Sequence, residues 1–330
     1  MKKLLLFGLM LTFSIAMMAI PAKRKPVTIT QPDGSQLTVV MRGDENLHYL
    51  TNLQGQILVK HKDGFYRPAT TATAMHMRNT WAHKLKARNS IRERRHIDRR
   101  KAGSSYKGEK KGLVILVNFN DVKFQSTSTL SEFKDMFNKK GYSNNYHYGS
   151  VSDYFYDQSY EQLSIDFDVV GPYDLDNDMK YYGENEIITY MGEEYEGDDL
   201  RPGQMAAEAC QKADADVNFA DYDWDGDGEV DQVYIIYAGY GEASYTGEEG
   251  DGGLGTIWPH EWDLRSSDYG RTLRLDNTIV NTYACSSELQ GTEGSLIDGI
   301  GTACHEFSHC LGLPDLYDTG GNGNFGMDSW

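Results

Sequence analysis

Towards the C-terminal end of the 330-residue chain, His305-Glu306-Phe307-Ser308-His309 is followed by Cys310-Leu311-Gly312-Leu313-Pro314-Asp315. Two histidines four residues apart share one face of a helix, so both imidazoles can reach a single tetrahedral ion. A glycine just past the second histidine suits a helix end, where the left-handed backbone costs glycine little. The chain can then turn back and offer Asp315 as a third ligand. That leaves a fourth position for water, as a catalytic rather than a structural zinc site requires. Glu306 is not needed as a ligand. Beside an ion that lowers the pKa of its bound water to roughly 7, it is placed to take a proton and pass it to a leaving group.

A helix carrying such a site must be held from its other side. At 100° per residue, Leu296, Ile300, Ala303, Cys304, Phe307 and Leu311 form one apolar stripe, with His305 and His309 roughly 160–200° from its centre. The stripe packs inward and the histidines face a cleft.

A second stretch has metal-binding chemistry. Asp223, Asp225, Asp227, Glu229 and Asp231 stand at alternate positions, with Gly228 at the sixth place, where a calcium loop turns sharply. Tyr234 occupies the twelfth place, so the EF-hand pattern is incomplete. A structural Ca²⁺ site bracing a strand over 233–238 fits the pattern; an acidic turn held only by side-chain to backbone hydrogen bonds is the alternative.

The His-Glu-x-x-His-x-x-Gly-x-x-Asp signature, running on through Leu316-Tyr317-Asp318, resembles the immune inhibitor A (M6) family of secreted zinc metallopeptidases. Four further stretches resemble the same family: 113–124 (LVILVNFNDVKF), 149–160 (GSVSDYFYDQSY), 223–243 and 257–262 (IWPHEW). The resemblance spans roughly residues 26–330. It implies a zinc-dependent endopeptidase with His305, His309 and Asp315 as ligands and Glu306 as catalytic acid and base. It also implies a zincin or metzincin-like domain with a methionine-containing turn beneath the zinc. Met327 is available, but Gly326-Met-Asp-Ser-Trp330 reads as the lead-in to that turn, so the chain is expected to continue beyond Trp330.

Composition divides the chain. Residues 1–111 carry a net charge of +15 and residues 112–330 a net charge of −32, which together give the overall −17. Such a split points to two units with different jobs, and the strongly acidic part excludes nucleic acid as a natural partner. Residues 1–22 have the short basic start, apolar run and small residues of a secretory signal peptide, and no later run is apolar enough to cross a bilayer. Residues 23–76 read as short strands broken at Asp33-Gly34, Gln54-Gly55 and Asp63-Gly64: a β-rich propeptide module, or alternatively an adhesion module. Residues 77–111 crowd basic side chains onto few apolar anchors. They read as a solvated helix or linker, with processing by a trypsin-like protease expected between Arg88 and Lys111. A cationic N-terminal piece lying on an anionic catalytic piece would hold a zymogen closed. The N-terminal module has no cysteine to place on the metal, so latency needs a carboxylate such as Asp33 or Asp44, or steric blockage.

The catalytic unit, 112–330, opens with a buried strand at 113–119. Helices at 130–137, 151–156 and 205–213 and a strand at 163–170 follow. Without regular alternation of helix and strand, the fold class expected is α+β, with an active-site helix under a mixed sheet. Trp258-Pro-His260-Glu261-Trp262 reads as an aromatic packing cluster that could line a cleft. Cys304 and Cys310, about 9 Å apart along one helix, cannot bridge each other; Cys210, Cys285 and these two form disulfides elsewhere or stay free. The expected function is a secreted zinc endopeptidase acting on protein or peptide substrates, with its own propeptide as a partner and calcium as a structural ion. A zinc hydrolase of a non-peptide acyl bond and a calcium-stabilised surface-binding protein are the rivals.

Overall fold

The structure, a computed structural model, describes residues 22, 25–101, 106–144, 147–244 and 255–314, with backbone alone for 96–101. The expected leader, Asp315 and Met327 lie outside the described residues, apart from Ala22, which is buried.

The N-terminal turn signals separate five strands: β1 (Val27–Thr30), β2 (Gln36–Asp44), β3 (Leu47–Thr51), β4 (Ile57–His61) and β5 (Tyr66–Pro68), each antiparallel to the one before. The β2–β3 turn depends on Gly43, whose φ is 109° and whose missing Cβ would sit 2.0 Å from the Leu47 carbonyl oxygen. The basic run then forms a single helix, α1 (Thr71–Lys101).

The catalytic unit proceeds through β6 (Gly108–Asn118), α2 (Leu130–Asn138), α3 (Val151–Gln158), β7 (Leu163–Asp174), α4 (Met179–Gly183), β8 (Asn185–Tyr190), β9 (Glu193–Asp199) and α5 (Pro202–Ala213). It continues through β10 (Val233–Tyr240), β11 (His260–Asp263), β12 (Leu273–Leu275), β13 (Thr278–Val280), β14 (Thr282–Leu289) and α6 (Ile300–Cys310). Thr129 caps α2, and Ser150 with Asp153 forms a capping box on α3, which fixes where both helices begin.

The fold is mixed α/β. Its central sheet runs β11-β14-β10-β6-β7, parallel throughout except for β11, which lies antiparallel at the edge. β6 is apolar at consecutive positions because both its faces are covered. Leu113, Ile115 and Val117 join a core with Met205, Ala206 and Ala209 of α5; Val114 and Leu116 join the opposite core, with Phe133 of α2, Phe155 of α3 and Phe307 of α6. The parallel inner strands are more regular than the sequence suggested, because α4, β8 and β9 interrupt the alternation between β7 and α5. Those two strands also leave the catalytic unit's sheet: β9 pairs with β4, so β8 and β9 extend the N-terminal sheet to seven strands. Among the described residues no helix is long and apolar enough to cross a membrane.

Candidate metal centre

α6 follows β14 and packs against β14, β11 and α3. Its inward face is Ala303, Cys304, Phe307 and Cys310, all buried. Phe307 anchors it, with ring centroids 5.0 Å from Phe155, 5.5 Å from Phe167 and 6.2 Å from Trp224. Leu296, expected on this stripe, precedes the helix and is 37% exposed. The helix ends as its glycine predicts: Gly312 has φ 89°, its N–H donates to the His309 carbonyl (2.8 Å), and the Leu313 N–H reaches back to Ser308 (3.2 Å).

That bend orients the site. His309 Nδ1 lies 2.7 Å from the Leu313 carbonyl oxygen, which fixes the proton on Nδ1 and puts the ring's lone pair on Nε2, the atom a metal would take. Nε2 of His305 is 2.9 Å from Nε2 of His309, the rings standing at 85°. Donors around a tetrahedral zinc sit roughly 3.3 Å apart, given Zn–N bonds near 2.0–2.1 Å, so the two nitrogens converge on a point where a metal fits. Glu306 stands beside them, 2% exposed, and the three residues offer ligand atoms within 4.8 Å of one another. Rather than facing an open cleft, both histidines are covered: His305 is 8% and His309 1% exposed.

β11, which packs against α6, is in turn gripped from the N-terminal side. Arg92 Nε donates to Glu261 Oε2 (2.9 Å), Arg95 to Glu261 Oε1 (2.7 Å) and Arg88 to the Glu261 backbone carbonyl (3.0 Å), while the Arg88 guanidinium lies 4.4 Å from the Trp262 ring centre. Glu261 sits on the edge strand β11. Burial alone would raise its carboxyl, but Arg95 and Arg92 outweigh that, with His309 adding to them, and hold it well below the carboxylate range. The basic run is thus not solvated on every side: Arg92 is 2% exposed, while Lys86 and Arg94 remain exposed. Sequence reasoning grouped Glu261 with an aromatic cluster and missed its role; a carboxylate set between His260 and Trp262 was the available signal. Its neighbour His260 is a packed residue, between the Trp258 carbonyl (2.6 Å) and the Tyr283 hydroxyl (3.0 Å).

Asp33 and Asp44, considered as latency carboxylates, are engaged locally. Asp33 accepts from Ser35, and Asp44 from Asn46, Leu47 and the Trp81 indole. All four cysteines are buried and none is joined to another in a disulfide.

The acidic loop brings ligand oxygens of Asp223, Asp225 and Asp227 within 4.8 Å of each other. Asp223 also accepts from the Gly226, Asp227 and Gly228 N–H groups, and Asp231 from that of Trp224. Both readings of the loop, ion site and self-bonded turn, fit these contacts. Trp224 ties the loop to the metal helix through Phe307 and to β6 by donating to the Lys111 carbonyl (2.6 Å).

Residues 100–330 match the family model described as immune inhibitor A peptidase M6, catalytic domain. The chain belongs to this family. It is 28% identical over 246 residues to the pre-pro-metalloprotease PrtV of Vibrio cholerae serotype O1, a match covering 63% of this chain and 25% of that protein. It is 31% identical over 111 residues to immune inhibitor A of Bacillus thuringiensis subsp. alesti, covering 31% of this chain and 15% of that protein. The chain therefore matches a quarter or less of the length of these M6 relatives.

Proposed function

We propose that the chain is a secreted zinc endopeptidase made as a zymogen. The convergence of His305 and His309 beside buried Glu306, in a chain of the M6 peptidase family, carries this reading. His305, His309 and Asp315 would hold the zinc, which supplies Lewis acidity to the scissile carbonyl and to a water. The Leu313 carbonyl keeps His309 Nδ1 protonated and its Nε2 available as a ligand. A Glu306 carboxylate oxygen takes the water proton and delivers it to the departing amine. β11 would offer its edge to a substrate strand, in the manner of peptide recognition by strand addition. In the intact chain α1 lies on that strand, with Arg88 on a carbonyl and Arg92 and Arg95 on Glu261, which supports a closed zymogen opened by cleavage in the basic helix. A calcium ion on Asp223, Asp225 and Asp227, with Glu229 and Asp231 as further candidates, would brace α6 through Trp224.

Glu306→Ala tests the assignment. Casein cleavage by the processed protein falls by roughly 10²–10⁴-fold, the usual contribution of a general base, while bound zinc stays at one equivalent at this site. Unchanged cleavage would refute the role of Glu306.

A further inference from the structure

A second cluster of ligand-bearing side chains lies away from α6, where the N-terminal sheet meets the catalytic unit. His48 comes from β3, Glu196 from β9 and Glu242 from the short turn after β10, and each offers a ligand atom within 4.8 Å of the others. Glu242 is wholly buried. Its Oε1 accepts from Asn185 (2.7 Å) and lies 3.4 Å from His48 Nε2, whereas no donor faces its Oε2. Asn185, 8% exposed, has an amide oxygen that also faces no donor, and the same holds for Oδ1 of neighbouring Asp199. Two carboxylates thus meet one imidazole, with Asp199 nearby, and among the described residues His48 is the one ion-pair partner shown for Glu242. Buried acceptors without donors are costly and call for a cation.

We infer that His48, Glu196 and Glu242 form a second divalent-metal site, of Zn²⁺ type, that clasps the N-terminal module to the catalytic unit. One imidazole with two carboxylates suits zinc better than calcium, which prefers an all-oxygen shell. Turning the Asn185 amide over brings its orphaned oxygen to the same centre as a fourth ligand. A cavity of about 140 Å³ bordered by His48, Asp199 and Trp258 and one of about 220 Å³ bordered by His48 and Glu196 adjoin the cluster. The clasp also bears on latency. The His48 ring stacks on Trp258 at 4.5 Å, and Trp258, held by Asp199 through its N–H (2.9 Å), leads directly into β11 and Glu261.

The site stands apart from the peptidase reading and is tested in a chain lacking the α6 ligands. The intact, unprocessed chain carrying His305→Ala and His309→Ala is dialysed against zinc, freed of loose metal and analysed by mass spectrometry. It retains one zinc per chain; adding Glu242→Gln, a change of nearly equal shape, removes that zinc, and His48→Gln does the same. Chelation of the double variant also speeds tryptic nicking of α1. A double variant that holds no zinc, or one whose zinc survives both further substitutions, overturns the inference and leaves protons as the counter-charge.

Discussion

Glu261 is a carboxylate that the fold can bury only because two guanidinium groups from another element meet it. Removing one partner of a buried pair costs about 3–5 kcal/mol, so Glu261→Gln loosens α1 and raises its tryptic cleavage rate at least about ten-fold. An unchanged rate would mean that other contacts hold the helix. Because the folded pKa is depressed, the pair contributes fully above the carboxylate's unfolded value and is lost only as pH falls through the much lower folded value. Mild acid therefore leaves α1 docked. Since Arg92 and Glu261 are both buried, moderate salt leaves it docked as well. His260 behaves in the opposite environment: burial, then Arg88, pull it down to about 4. Its contribution is present above the unfolded value near 6.5 and lost as pH drops from there towards 4, a change of about 3 kcal/mol at most. Urea unfolding at pH 7 and pH 5 measures this, and the difference between the two midpoints shrinks in His260→Gln.

At the scale of elements, α6 is held by its apolar face and aimed by the bend after it. Phe307→Ala removes a fully buried ring, costing about 3–5 kcal/mol, and lowers zinc affinity with it because both histidines ride on the same turns. Thermal melts and metal titration of the variant check both effects; a variant that unfolds earlier yet binds zinc equally would separate packing from ligand placement. The local signals in this stretch were legible. The i, i+4 histidines and the inward Ala303, Cys304 and Phe307 follow from helical period, the stop from its glycine, and the strand at 113–119 from its continuous apolar run. What could not be read depends on contacts distant in sequence. Nothing in Asn185–Asp199 says that it pairs with His61 and Lys60, and nothing in the run of arginines says that one of them is buried against residue 261. The cover over His305 and His309 was missed for the same reason: helix phase gives a side chain's direction but not what lies beyond it.

Over the whole molecule, the +15 and −32 halves meet through specific contacts, from the buried Arg92–Glu261 pair to the part-exposed Lys84–Asp198 pair. The N-terminal sheet takes β8 and β9 from the catalytic unit, and arginines of α1 grip the edge strand β11, which packs against α6. Under the zymogen reading proposed above, such a peptidase would stay silent until the helix is cut and its arginines leave β11. Diffraction from the intact chain, collected on both sides of the zinc absorption edge, tests the central claim most directly. The account predicts an anomalous peak roughly 2.0–2.1 Å from Nε2 of both His305 and His309, with an Asp315 oxygen completing the protein ligands. No peak between the two rings, or a peak there with Asp315 turned away, would contradict it.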